Sequence, residues 1–411
     1  MTVDELDTLY DVMQRKTEEF NAYITTKVVQ RIIDTLNAEN EVKLTASTVN
    51  YLKSAVVTGA VYEGIQQAVE KRLPKIQAEV KKAFLEAGTQ IAKELNTKTN
   101  TLIDLYEVDI PKLESFNPDI KSDLLETERY MLESAYKRTN GELKNLTRTT
   151  AGAGQQAFVE AVDNALVKVN YGIAPNTAML EAVKELTLGS IGRVEYPSGH
   201  IDKIETAVAR AVRTGVNQSV SDITLTRCAN EGTDLVITTQ HVGARVSKNN
   251  DYKNHYWWQG KVYKLDFDNP ELKQYDRNSD ELKKLREARK KDQKTYPDFM
   301  VCCGYGKIEG ICGINCRHSF SPFYPENINT NEPIDAKENE QRFKATQKQR
   351  ALERKIRAQK RLIKEFEKIK TDDAQVRLSE AKNGLTELNR KYKEHCEEND
   401  LKLNHANLKI V

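Results

Sequence analysis

Residues 304–325 read GYGKIEGICGINCRHSFSPFYP, and this stretch decides how the rest of the chain is interpreted. It holds four glycines, two cysteines, one histidine, one arginine and two prolines between flanking segments that are charged and helix-like. Because glycine adopts backbone conformations closed to other residues, Gly310 and Gly313 are expected to permit tight turns. The stretch predicts a tightly folded loop, and its side chains raise the question of a metal or catalytic site.

The whole chain has the composition of a helical protein without a strong charge bias. Its 411 residues include 19 glycines and 10 prolines, which favours long helices over many short strands. A net charge of +2 gives no global argument for nucleic-acid binding. The acidic N-terminus lacks the features of a secretory signal, and no apolar run reaches the ~20 residues of a membrane span. These features favour a protein of the cytoplasm or of an assembled particle, with no membrane partner.

Hydrophobic periodicity divides the chain into four predicted regions. They are an N-terminal helical region (1–148), a helical connector (149–225), a central α+β domain (226–330) and a C-terminal helical hairpin (336–405). The first boundary rests on TTAGAGQQ (149–156), whose glycines predict a break between helices. The predicted fold class is therefore mainly α, with a compact α+β domain that contains the Cys, His and Trp residues.

Local patterns predict several elements within these regions. Pro74 suits the first turn of a helix. The β-branched stretch DLVITTQ (234–240) predicts a strand, and HYWWQGKVYKLDF (255–267) predicts a strand or hairpin that turns at Gln259 and Gly260. The segment DELKKLREARKKDQKTY (280–296) predicts a charged helical insertion. Apolar residues at spacings of three and four in the C-terminal hairpin predict a coiled-coil seam.

The cysteines suggest a metal site. Four of the six lie between Cys302 and Cys316, and such clusters in a large chain that is not secreted favour free, buried or metal-bound thiols over disulfides. Cys312, Cys316 and His318 are natural zinc ligands, and His241 or His255 could supply a fourth. The spacing C-x3-C-x-H departs from a C-x2-C zinc knuckle. The alternative is buried cysteines and a histidine bonded to a backbone carbonyl.

Five stretches point to a known family when they are taken in order. They are YPSGHIDKIETAVARAVRTGVNQ, HVGARV, WWQGKVY, GYGKIEGICGINCRHSFSPFYP and QKQRALERKIRAQKR. The set resembles the phage minor capsid protein 2 family and, more distantly, the Mu F-like head-morphogenesis proteins. The resemblance covers roughly residues 150–401. One departure is the segment SKNNDYKNHYWWQG (247–260), which is longer than the linker usual in the family.

The resemblance implies a set of structural motif residues and a role in the phage head. The implied protein is a non-enzymatic minor capsid or head-morphogenesis component without a cofactor, located in the virion and, during assembly, in the host cytoplasm. Its partners would be the portal protein, the major capsid protein or both, with packaged DNA as a further contact. The motif residues are His241, Arg245, Trp258, Gln259, Gly260, Gly313, Asn315, Cys316, Arg317 and His318.

Two other readings of these residues stay open. His241, Arg245, Arg317 and His318 could perform acid–base chemistry on a phosphodiester, as a nuclease or toxin-like enzyme would, although the chain has no P-loop, nucleophile elbow or HExxH motif. Alternatively, the arginines tie loops to carboxylates or carbonyls. Trp258 is expected to be a core anchor.

The first helix of the C-terminal hairpin is locally basic. Basic helices hold phosphates through non-specific, salt-dependent contacts, so this helix is a candidate DNA-binding surface. A solvated helix face, or one that meets an acidic partner, would carry the same residues. The candidate DNA contacts are Arg350, Arg354, Arg357, Lys360 and Arg361.

Overall fold

The elements described below come from a computed structural model of the full chain. It describes residues 2–38, 44–106, 126–189, 193–195, 199–230, 233–274, 296–324 and 328–410. The predicted charged insertion lies, up to residue 295, outside the described residues. None of the described helices combines the length and apolarity needed to cross a membrane.

Helices dominate the chain. They account for 72% of the residues that the structure describes, and the strands there form a small three-stranded sheet and one short two-stranded ladder, which confirms the predicted fold class. The helices are α1 (Val3–Asn37), α2 (Ala46–Val57), α3 (Ala60–Tyr106), α4 (Glu126–Asn170), α5 (Pro175–Gly189), α6 (Ile204–Asn230), α7 (His255–Trp258), α8 (Pro270–Lys273), α9 (Phe299–Cys303), α10 (Ala336–Phe366) and α11 (Asp372–Glu398). The strands are β1 (Arg193–Glu195), β2 (Ile201–Lys203), β3 (Leu235–Thr238), β4 (Val262–Lys264) and β5 (Phe320–Pro322).

The chain divides into two compact units, each assembled from three separate segments. Unit 1 comprises Met1–Tyr10, Glu79–Asn140 and Arg210–Lys344. Unit 2 comprises Asp11–Ala78, Gly141–Ala209 and Ala345–Val411. The four contiguous regions predicted from the sequence remain a prediction.

Unit 1 contains the predicted α+β module. Its antiparallel sheet has the order β4-β3-β5, with Val236 of the central strand opposite Tyr263 on one side and Pro322 on the other. The core beside the sheet is aromatic. Phe299 packs edge-on against Phe320 with ring centroids 4.8 Å apart, and Trp258 is fully buried in the same cluster. The buried aromatic area is the main source of stability for a sheet this small.

Unit 2 contains the predicted C-terminal hairpin from Ala345 onward. The residues 367–371 separate α10 from α11, and the Thr371 hydroxyl accepts a hydrogen bond from the Ala374 amide to cap α11. Contacts run antiparallel along the two helices. Tyr392 donates to Glu353 at 3.0 Å, and the carbonyl of Ala345 accepts from His395 Nε2 at 2.8 Å. The hairpin is confirmed, whereas its coiled-coil character remains a prediction.

Three local expectations were wrong. Pro74 lies inside α3, which begins at Ala60, so the proline falls in about the fourth turn and not the first. The glycines of the stretch 149–156 lie inside α4, where Gly152 faces open space and the neighbouring Ala and Gln residues are good helix formers. The segment 255–267, predicted as a strand or hairpin, is a strand only at Val262–Lys264. Its residues His255–Trp258 instead form one helical turn because the Asn254 side chain accepts a hydrogen bond from the Trp257 amide.

Candidate functional site

The stretch 304–318 is a compact loop whose glycines are required by close backbone approach. A Cβ on Gly310 would lie 1.9 Å from the carbonyl oxygen of Gly304, and a Cβ on Gly313 would lie 2.4 Å from that of Ile308. Neither Gly310 nor Gly313 has a positive φ. The prediction that these two glycines adopt conformations closed to other residues was therefore wrong: they are needed because they lack a side chain.

Two other residues of the loop take the left-handed conformation. Cys312 has φ 59° and Asn315 has φ 60°. Asparagine tolerates this region, but for cysteine it costs about 1 kcal/mol or more. The Cys312 side chain is buried, and its Sγ lies 3.0 Å from the hydroxyl of Ser221 on α6. This contact fixes the orientation of Cys312 toward α6.

A polar strip on α6 holds the loop in place. Its residues are spaced four apart, so they lie on one face of the helix. Ser221 contacts Cys312 as described, and Asn217 Nδ2 donates to the carbonyl oxygen of His318 at 3.0 Å. Arg213 Nη2 donates to Asn315 Oδ1 at 3.2 Å. The loop is thus anchored at three points along two turns of α6.

The N-terminal turn of α1 contributes a carboxylate to the same anchor. Asp7 forms a bidentate ion pair with Arg317, in which Nε donates to Oδ1 at 3.0 Å and Nη2 donates to Oδ2. Arg213 Nη1 lies 3.6 Å from Asp7 Oδ1, and its guanidinium stacks over the ring of Tyr10 at 4.5 Å. The Arg317 guanidinium is therefore held by α1.

Three further rings surround His318, which is 1% exposed. The ring of His241 stacks on it with centroids 4.5 Å apart and an interplanar angle of 27°. The rings of Trp258 and His255 meet it edge-on at 4.7 and 5.3 Å. The predicted residues His241, Trp258 and His318 are therefore brought together, with His255 as a fourth member.

Cys316 lies between two of these histidines. Its Sγ is 3.7 Å from His318 Nδ1 and 3.8 Å from His255 Nδ1. The ligand atoms of these three buried residues all lie within 4.8 Å of one another. Of the predicted metal ligands, Cys312 does not join this set because its thiol faces Ser221. His255 joins the set in place of Cys312. From the sequence, His255 was only one of two candidates for a fourth ligand.

Gln259 links two segments of the cluster through a single oxygen. Its Oε1 accepts hydrogen bonds from the His241 backbone amide and from His318 Nε2, both at 3.0 Å. Gly260 follows with φ 69°, where a Cβ would lie 2.3 Å from Gln240 Oε1. The predicted Gln-Gly turn therefore exists, and Gln259 also orients the ring of His318.

Burial keeps the cluster uncharged. It lowers the pKa of His241 and of His255 to about 4, and it lowers the pKa of His318 well below its ordinary value. Burial also raises the pKa of the Cys316 thiol. At neutral pH the imidazoles are therefore neutral, which is the form that donates a lone pair to a metal and the form least suited to hold an anionic substrate.

The remaining predicted motif residues stabilise the loop from outside. Arg245 Nη2 donates to the carbonyl oxygen of Ile314 at 3.3 Å, and Asn315 is held by Arg213. The roles of Asp7 and Asn217 were missed by sequence analysis. Asp7 lies 310 residues from Arg317 in an ordinary amphipathic helix, and no local pattern marks it.

The candidate DNA contacts on α10 need a correction. Arg357 is buried, where its Nε pairs with Glu18 at 2.6 Å and its Nη1 donates to the carbonyl of Asn407 at 2.6 Å. Lys360 donates to the carbonyl of Leu408 at 2.6 Å, and Arg361 lies 3.9 Å from Glu18. These three cations are engaged within unit 2. Of the other two, Arg354 is exposed and Arg350 is half-buried.

The fold and the site together define a mainly helical protein whose α+β module is closed by a Cys/His loop. The chain matches the family model described as phage minor capsid protein 2 over residues 6–397, nearly its whole length, and it belongs to this family. No curated protein and no solved structure matches it. Membership gives the chain a structural role in a phage and a location in the virion.

Proposed function

We propose that the chain is a minor component of the phage head that assembles in the host cytoplasm and associates with the portal vertex or the inner capsid surface. The match to a minor capsid protein family over residues 6–397 carries this proposal. A minor component is present in few copies, so it must recognise one particular place in the shell. Its mechanism is assembly through complementary surfaces, without catalytic turnover.

The contacts of the polar residues support a role without turnover. A general acid or base must reach its substrate, directly or through one water. His318 is buried, and its Nε2 is engaged by Gln259. Arg317 is paired with Asp7, and Arg245 with a backbone carbonyl. Three of the four groups that a nuclease would use are thereby engaged in holding the loop.

The exposed tip of the loop is our candidate for the contact with the portal protein or the major capsid protein. Ile308 and Ile314 are 69% and 39% exposed, and they are adjacent because the Ile314 amide donates to the Ile308 carbonyl at 2.8 Å. Lys253 and Glu309 flank the tip as an ion pair at 2.8 Å. An apolar centre with a charged rim is the usual anatomy of a protein–protein interface.

Purified heads provide the test. Heads assembled with the wild-type chain should contain it by mass spectrometry, and cryo-electron microscopy without imposed symmetry should show its density at one vertex. An Ile308→Asp chain should fold normally and be depleted from heads. The matched control is Val376→Asp, which changes a comparably exposed residue of α11 in unit 2. Density spread over every capsid subunit, or heads that lack the wild-type chain, would refute the proposal.

DNA contact is a second proposed role, supported by the charge of α10. The helix contains eleven Lys and Arg against four Glu, and several of these cations are exposed even though Arg357, Lys360 and Arg361 are not available. The exposed cations are Lys337, Lys344, Lys348, Arg354, Lys355 and Lys364. Filter binding to duplex DNA should weaken steeply with salt, and it should weaken in an Arg354→Ala, Lys355→Ala double variant. An equal effect of replacing the exposed Lys81 and Lys82 of α3 would argue against a specific surface.

A further inference from the structure

The spacing of three ligand atoms inside unit 1 fits a tetrahedral zinc ion. Zinc lies ~2.3 Å from a thiolate sulfur and ~2.0–2.1 Å from an imidazole nitrogen, so at a tetrahedral angle the sulfur and nitrogen are about 3.6 Å apart. Cys316 Sγ lies 3.7 Å from His318 Nδ1 and 3.8 Å from His255 Nδ1. Both sulfur–nitrogen distances are within about 0.2 Å of the value for zinc, and all three ligand atoms lie within 4.8 Å of one another.

The hydrogen bonds of the two histidines leave the correct nitrogens free of protons. His255 Nε2 lies 2.8 Å from the Glu309 carbonyl oxygen, which can only accept, so the proton is on Nε2. His318 Nε2 contacts Gln259 Oε1, which also accepts from a backbone amide and must therefore be the oxygen of the amide group. His318 is thus protonated at Nε2 as well. Both Nδ1 lone pairs remain, and both face Cys316.

These outer contacts have the form found around metal-bound histidines. A ligating histidine almost always donates its other ring N–H to a carbonyl or carboxylate, which fixes the tautomer and the ring orientation. His255 and His318 do so to a backbone carbonyl and to a side-chain amide oxygen. In addition, the His318 amide donates a hydrogen bond to Cys316 Sγ at 3.4 Å.

Ring orientation separates ligands from neighbours. The imidazole lone pair lies in the plane of the ring, so two histidines that share an ion cannot be stacked in parallel. His255 and His318 meet at an interplanar angle of 70°, whereas His241 stacks on His318 at 27°. The Nδ1 of His241 donates to the Val242 carbonyl at 3.1 Å. His241 is therefore a cover over the site and not a ligand.

We propose that His255 Nδ1, Cys316 Sγ and His318 Nδ1 bind one zinc ion, with a solvent molecule as fourth ligand. Nitrogen and thiolate donors in tetrahedral geometry select zinc over magnesium or calcium. The ion would join α7 to the loop across 61 residues of sequence. Its role would be structural, because the three ligands are buried and the groups around them are already hydrogen-bonded. The ion would hold α7 and the loop together.

Metal content tests the proposal on the full-length chain. Wild-type protein purified with zinc in the medium should contain about one zinc per chain by elemental analysis. Cys316→Ser should lose most of this zinc. Cys312→Ser is the matched control: it changes a buried thiol of the same loop that faces Ser221, so it should keep the ion.

A second readout covers the case in which Cys316→Ser fails to fold. Zinc-depleted wild-type chain titrated with cobalt should develop the thiolate-to-cobalt charge-transfer absorption, and thermal unfolding should shift upward as metal is restored. A folded wild-type chain that contains no zinc and gives no cobalt–thiolate band would overturn the proposal. A loss of zinc in Cys312→Ser as large as in Cys316→Ser would overturn the ligand set.

Discussion

Replacing Asp7 tests whether the first helix holds the Cys/His loop in place. In the Asp7→Asn variant, Arg317 and Arg213 lose the carboxylate that both approach, at 3.0 and 3.6 Å. Asparagine is nearly the same size, so packing is preserved and the change isolates the charge. Arg213 would keep Asn315 Oδ1 and the ring of Tyr10 as partners.

The expected cost lies between those of an exposed and a buried ion pair. Exposed pairs contribute about 0–1 kcal/mol, whereas breaking a buried pair costs about 3–5 kcal/mol because a charge is left without compensation. The side chain of Arg213 is 3% exposed, but those of Asp7 and Arg317 are 19% and 23% exposed. We therefore expect Asp7→Asn to lower the free energy of unfolding of unit 1 by about 2–3 kcal/mol.

Tryptophan fluorescence during urea denaturation measures this cost. The two tryptophans of the chain, Trp257 and Trp258, both lie in unit 1, so their emission reports this unit specifically. Amide hydrogen exchange should also rise in residues 304–318. Asp4→Asn is the matched control, since Asp4 is an exposed carboxylate of the same helix turn. A change below about 1 kcal/mol, with unchanged exchange in the loop, would refute the anchoring role.

Three further predictions concern other parts of the chain. Gly310→Ala should strongly lower the urea midpoint of unit 1, followed by fluorescence, because its Cβ would lie 1.9 Å from a backbone oxygen. Gly152→Ala, the control, should stabilise α4 by about 0.5–1 kcal/mol. No change in the Gly310 variant would contradict the loop geometry. Burial raises the pKa of the Glu205 carboxyl above 4.5, so the free energy of unfolding is highest below pH 4.5 and falls as the pH rises through the folded-state pKa. Glu205→Gln should therefore raise Tm at neutral pH and change it little at pH 4. Equal shifts at both pH values would exclude this origin. Glu128→Leu should lower the free energy of unfolding in urea by about 3–5 kcal/mol because it leaves the buried charge of Arg227 without its partner. Adding Arg227→Met should recover most of that loss. Additive costs of the two substitutions would show that the pair is not coupled.

The helical hairpin and the central strand could be predicted because their signals are local. The apolar spacing of α10 and α11 and the short polar break between them specify two helices that pack on each other. The β-branched stretch 234–240 likewise contains β3 (Leu235–Thr238). The glycines of α4 misled because glycine weakens a helix by only about 1 kcal/mol, which neighbouring helix formers and buried contacts outweigh.

The candidate site could be predicted only in part because its geometry depends on distant segments. The residue types of the loop indicated a Cys/His cluster, but spacing alone could not show which thiol would face the histidines. That choice follows from the left-handed backbone of Cys312 and from Ser221 on α6. His255 joins Cys316 only because α7 forms a helical turn where the sequence predicted a strand or hairpin.

Four of the five stretches that carry the family resemblance meet at one residue of the folded chain. The stretch that ends in TGVNQ supplies Asn217, which binds the His318 carbonyl at 3.0 Å. HVGARV supplies His241, which stacks on the His318 ring, and WWQGKVY supplies Gln259, which accepts from His318 Nε2. The fourth stretch contains His318 itself. These motifs therefore describe the interior of a single module, and their residue types are those needed to hold one buried imidazole in a fixed orientation. A buried, oriented imidazole beside a thiol is costly to build and does little for packing alone, which is why we regard metal binding as the chemistry that best explains it.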